Sequence, residues 1–208
     1  MNEKMEHMIL LGIKHPAVLK AVMAIPRSQF LDASQKMYAE IDEALPIECG
    51  QTISQPSLVA RMTELMLGKR DKVAKALEIG TGSGYQAAIL SQVADAVYTI
   101  ERHKTLFTLA RSRFQSLKLD NIHSLHGDGY LGWPEYAPYD GIVVTAATPH
   151  IPSELLKQLN PFGGQLVIPV GEQGLWQELQ LVKRREDEYE VESHSTVVFV
   201  PMLPGKAD

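Results

Sequence analysis

The chain has 208 residues, 45% hydrophobic and 22% charged, the balance of one globular domain and not of a disordered segment. One cysteine, Cys49, excludes an intrachain disulfide and a cysteine-based zinc site. A net charge of −5 argues against a nucleic-acid binder, which usually carries a basic stripe. No apolar run approaches the roughly 18 residues of a membrane span, and no apolar signal region follows the mixed-charge N-terminus. A cytoplasmic protein without membrane or nucleic-acid partners is expected.

Residues 1–208 read as a single domain in four regions. Residues 1–45 form a small helical cap, with Val18, Leu19, Val22 and Ile25 at helical spacing before Pro26 interrupts. Residues 46–58 form a polar, proline-bounded loop of the kind that often carries function. A helix follows, with Leu58, Met62 and Leu65 expected on its buried face. Residues 71–170 then alternate strand and helix. Strands are expected at 76–79, 96–100, 122–125, 141–145 and 164–169, with helices at 85–93, 104–117 and 152–159. The fourth strand, Gly141-Ile142-Val143-Val144-Thr145, is apolar throughout, as a strand buried on both faces should be. This order predicts a doubly wound α/β domain with a mainly parallel sheet. The period changes over 175–203, where an antiparallel hairpin turns at Arg184–Glu188 and a buried strand, Val197-Val198-Phe199-Val200, closes the sheet.

The strongest local signal is Glu78-Ile79-Gly80-Thr81-Gly82-Ser83-Gly84-Tyr85. Three alternate glycines follow a strand and open a helix, so the chain can turn sharply and offer backbone to a ligand. Read from Gly82, the loop fits the loose dinucleotide pattern G-x-G-x-x-A. Read from Gly80, an acid followed by G-x-G-x-G suits S-adenosylmethionine (SAM). Glu101, ending the second strand, can accept both ribose hydroxyls of either ligand. Asp128, in His126-Gly127-Asp128-Gly129 after the third strand, can accept from an adenine amino group. All of these fall at the carboxyl ends of successive strands, where open α/β sheets bind ligands.

These residues form part of a longer likeness. Gln51-Thr52-Ile53-Ser54-Gln55-Pro56, the run Leu77 to Ala88, and His126 to Trp133 closely resemble protein-L-isoaspartate O-methyltransferases of bacterial type. So do Pro138-Tyr139-Asp140, Val144-Thr145-Ala146-Ala147, Leu166 to Gly171, and Ala24-Ile25-Pro26-Arg27 with Phe30. Thr148, where relatives often have proline, and Glu48-Cys49 before Gly50 depart from the pattern. The resemblance implies a seven-stranded Rossmann-like methyltransferase sheet. It implies methyl transfer from SAM, leaving S-adenosylhomocysteine (SAH), to the free α-carboxylate of L-isoaspartyl residues in damaged proteins and peptides. A monomer is expected. Ser54 is the expected catalytic and substrate-contacting residue, with Val200 beside the peptide. Thr52, Ile53, Glu78, Gly80, Thr81, Gly82, Gly84, Tyr85, Glu101, Arg102, Gly127, Asp128, Gly129 and Thr145 are the expected cofactor contacts.

The chemistry is consistent with such a site. A carboxylate nucleophile is already ionised near neutral pH and needs no general base. No metal is expected, because His123 and His126, three apart on a strand end, point to opposite faces. Cys49 reads as a bystander thiol. Trp133 and Tyr136 read as packing over the cofactor loop.

Overall fold

The computed structural model describes residues 3–172 and 174–208; Met1 and Asn2 of the expected cap, and Gln173, lie outside the described residues. The cap consists of α1 (Glu3–Leu10) and α2 (Pro16–Ala24), then 3-10 turns at Arg27–Phe30 and Lys36–Tyr38. Pro16 opens α2, where a missing N–H costs nothing. Val18, Ala21 and Val22 face inward. The 46–58 loop is more ordered than expected: Leu45–Pro46 pairs antiparallel with Thr52–Ile53 around a 3-10 turn at Glu48–Gly50.

Helix α3 (Pro56–Leu67) buries Val59, Met62, Thr63, Met66 and Leu67, while Leu58 and Leu65 are only half-buried. The expected face therefore needs correction, and Met62 alone carries over. The helix packs against both the sheet and the cap, so a wider stripe is covered than a sequence wheel with one buried face assumes.

The sheet has seven strands: β1 (Val73–Ile79), β2 (Ala94–Glu101), β3 (Ile122–His126), β4 (Gly141–Val144), β5 (Phe162–Val170), β6 (Gln177–Arg185) and β7 (Glu188–Val197). Their spatial order is β3-β2-β1-β4-β5-β6-β7. The first five are parallel neighbours, and β6 and β7 join antiparallel. Helices α4 (Tyr85–Ser91), α5 (Lys104–Ser116) and α6 (Ser153–Lys157) connect the parallel strands. Ile142, Val143 and Val144 of β4 are fully buried, because this central strand has core on both faces. One core holds the cap, α3, α4 and the inner side of α5. The other holds α6, Tyr98, Tyr139 and Met202.

The hairpin forms, with strands longer than expected and a tighter turn at Glu186–Asp187. The separate closing strand does not. Val197 ends β7, Val198 is exposed, and residues 198–200 lie in no strand. The Gln177 side chain takes the Phe199 N–H at 2.8 Å, which draws the chain off the ladder. The segment then pairs with Ala147 instead, through the Val200 carbonyl and the Met202 N–H. That detour carries residues 200–203 to the carboxyl ends of the central strands.

Candidate active site

The polypeptide leaves β1 at Ile79 and turns through Gly80, Thr81, Gly82 and Ser83 into α4. Gly80 has φ +92° and lies against Thr145, where an added Cβ would come 2.5 Å from the hydroxyl oxygen. Thr145 in turn donates to the carbonyls of Ile79 at 3.0 Å and Gly80 at 2.6 Å. The end of β4 thereby clamps the start of the glycine loop. Gly84 has φ +94°, and an added Cβ would lie 2.7 Å from the Phe114 ring. Its lack of a side chain lets α5 seat against α4.

A cavity opens at the carboxyl ends of β1, β2 and β4. It gathers twelve of the expected residues: Thr52, Ile53, Ser54, Gly80, Thr81, Gly82, Tyr85, Glu101, Arg102, Gly129, Thr145 and Val200. Glu78, Gly84, Gly127 and Asp128 do not line it.

Glu101 is 4% exposed and uses both oxygens. One accepts from the Gly82 N–H and the other from the His103 N–H, each at 2.9 Å. The carboxylate is thus aimed by backbone and retains lone pairs for hydroxyl donors from the cavity. Glu78 lies beneath the loop, fully buried. Burial pushes its carboxyl up to about 8, the Thr99 hydrogen bond pulls it partly back, and the charge of Glu101 adds to the rise. Thr99 donates to one Glu78 oxygen and meets Thr81 Oγ1 at 2.6 Å, and the Ala87 backbone of α4 also favours the Glu78 charge. A chain of hydroxyls therefore links this acid to the cavity wall.

Asp128 is likewise held by backbone. Its oxygens accept from the Tyr130 N–H at 2.9 Å and the Gly205 N–H at 2.7 Å. The C-terminal residues are also held by Arg102, whose guanidinium donates to the carbonyls of Gly205 and Pro204. Ala207 pairs with the backbone of Arg102 and Lys104.

The architecture and motifs agree with what the chain is similar to. The family model for protein-L-isoaspartate(D-aspartate) O-methyltransferase matches residues 1–207. The chain belongs to this family. It is 52% identical to protein-L-isoaspartate O-methyltransferase 1 of Geotalea uraniireducens, over 95% of this chain and 89% of that one. It is also 52% identical to the Halorhodospira halophila protein of the same name, over 94% and 87%. A solved protein-L-isoaspartate O-methyltransferase superposes with TM-score 0.85 and 29% identity, covering 96% of this chain; the chain spans 64% of that one. A Plasmodium falciparum structure titled as a member of the family, in complex with SAH, superposes with TM-score 0.78 at 23% identity over 96% of both chains, a likeness of fold.

In this methyltransferase the cavity also takes in residues that the sequence did not single out. Ser83, Gln86 and Ala146 lie inside motifs already marked, whereas His103 and Pro201, Met202 and Leu203 carried no signal. The place of Pro201, Met202 and Leu203 depends on the detour of the C-terminal segment. Trp133 and Tyr136 do not pack over the cofactor loop. They close on Tyr98, with ring centroids 5.6 Å and 4.6 Å from it, beside a separate groove between α5 and β3. His123 stacks on Tyr98, and His126 meets the carbonyls of Arg102 and Ala207.

Proposed function

We propose that Ser54 and the backbone around it seat the free α-carboxylate of an L-isoaspartyl residue, and that the glycine loop and Glu101 seat SAM across the same cavity. The reaction class is that of the family to which the chain belongs, and its methyl donor is SAM. The observation that carries the residue assignment is the convergence of Ser54, Gly80–Gly82, Glu101 and Val200 on one cavity, although they come from four distant stretches of sequence.

The donor set fits the cofactor. Glu101 is pre-aimed with free lone pairs, which suits ribose hydroxyls. The absence of side chains at Gly80 and Gly82, which line the cavity, leaves room for the amino-acid moiety. Arg102, Leu203 and Gly129 line the same cavity. When bound, SAM supplies an electrophilic methyl on a cationic sulfur. The protein's task is to hold a carboxylate oxygen in line with that methyl carbon and to exclude water. Ser54 donates to the carboxylate as it approaches. No residue must remove a proton, because the nucleophile is already an anion. With SAM held so, the oxygen–methyl bond would form as the sulfur–methyl bond breaks, cancelling the opposite charges and leaving SAH. The following amide nitrogen of the substrate then displaces methanol from the ester to close a succinimide without help from the protein, and hydrolysis of that ring can give aspartate.

We place the enzyme in the cytoplasm as a monomer acting on damaged proteins and peptides, without nucleic-acid or membrane partners. The net charge of −5 supports the nucleic-acid part of that reading, and sedimentation would check the monomer. The decisive test is methyl transfer from labelled SAM to two matched peptides, one L-isoaspartyl and one L-aspartyl. Base-labile label on the isoaspartyl peptide alone is expected. Equal label on both, or on neither, refutes the assignment.

A further inference from the structure

Arg27 is fully buried, yet it makes no ion pair among the described residues. Its guanidinium instead gathers five backbone carbonyls. Nη1 donates to Ala39 at 3.3 Å and Ile41 at 3.1 Å. Nη2 donates to Glu43 at 2.7 Å, Ile53 at 3.4 Å and Ser54 at 3.1 Å. The first three belong to the cap and the last two to the loop that lines the cavity. One planar fork thus ties the N-terminal cap to the backbone of the residue that faces substrate.

The charge balance around it is also unusual. Burial disfavours its charge, and the groups that offset this are, in order, the Tyr85 phenol and the carboxylates of Asp42 and Glu40. Asp42 is already committed to the start of α3, accepting from the Ser57 N–H at 2.8 Å, the Ser57 hydroxyl at 2.6 Å and Gln55 at 3.3 Å. Glu40 is exposed and pairs with Lys4 at 3.2 Å. A buried cation without its own carboxylate is costly. Here it stands behind a loop whose other side faces the cavity.

We propose that Arg27 is a positioning residue for substrate: its fork fixes the Ile53–Ser54 backbone, and its unpaired charge favours an anion on the cavity side of that loop. This rests on the assignment of Ser54 to the substrate carboxylate. Arginine is required because a planar, multi-donor group can span carbonyls on two sides, whereas a lysine ammonium is a point donor on a flexible stem. Arg27 acts through the loop and does not itself line the cavity.

The test compares the wild type with Arg27→Lys and Arg27→Met. Four quantities are measured: unfolding midpoint, SAH affinity by calorimetry, and kcat and KM for an isoaspartyl peptide. For Arg27→Lys the expected result is a peptide KM raised about tenfold, with kcat and SAH affinity each within about threefold, since removing uniform substrate binding raises KM alone. Arg27→Met should raise KM further, because it removes the charge as well. Amide hydrogen exchange should quicken at 52–54 but not at 80–84. If SAH affinity, kcat and peptide KM all worsen in step with the unfolding midpoint, Arg27 is only a structural staple and the inference is wrong. An unchanged KM in a folded Arg27→Lys also overturns it. A wild type that methylates no isoaspartyl peptide removes the assignment of Ser54, and this inference with it.

Discussion

At the scale of single residues, the site divides into side chains that face the cavity and side chains that hold it in shape. Ser54 belongs to the first kind. Ser54→Ala should lower kcat/KM for an isoaspartyl peptide about ten- to a hundredfold, the worth of one hydrogen bond to a charged group, with SAH affinity retained in calorimetry. A parallel loss of SAH affinity would move Ser54 to the cofactor. Glu78 belongs to the second kind, and its buried acid gives a pH signature. Its carboxyl titrates near 8 in the fold and near its ordinary 4.5 when unfolded. Between those values the folded state keeps a proton that the unfolded chain releases. Stability must therefore fall as pH rises through that window and level off above it. Glu78→Gln keeps a neutral acceptor for Thr99 and should flatten the slope. Urea midpoints from pH 5 to 9 check this, and parallel curves for the two proteins would count against it. The acid before the glycines was legible in sequence, but its burial was not, because that depends on Thr99 and α4 covering it.

At the scale of elements, the glycine loop works because three elements close on it. Thr145 just past β4 clamps Gly80, Glu101 from β2 holds Gly82, and Phe114 from α5 abuts Gly84. Gly84→Ala should destabilise the fold by about 2–3 kcal/mol, combining overpacking against a ring with a left-handed backbone angle. A thermal midpoint within a degree of wild type would contradict it. The strand–loop–helix pattern and its glycines could be read locally. The partner of each glycine could not, since Phe114 and Thr145 are 30 and 61 positions from the loop's last glycine, Gly84. The buried face of α3 shows the same limit, because α3 meets cap and sheet together.

At the scale of the whole molecule, the two ends of the chain converge on the cavity. The cap reaches it through Arg27. The C-terminal residues reach it through Arg102, which lines the cavity and donates to the carbonyls of Gly205 and Pro204. Deleting residues 204–208 should release Arg102 and Asp128 and weaken SAH binding about five- to tenfold, the cost of one or two hydrogen bonds, with little change in the unfolding midpoint. Calorimetric titration checks it, and unchanged affinity would show that the tail takes no part in holding the cofactor.

By itself the sequence determined the fold class, the family and the chemistry. Strand periodicity, the glycine spacing and acids at strand ends are local or depend only on chain order. Tertiary structure alone decided which acids face the cavity, that Val198–Val200 leaves the sheet to pair with Ala147, and that a buried arginine joins the cap to Ser54. Each of these turns on contacts between residues far apart in the chain, and a polar group's role is set by the partner that satisfies it once water is excluded.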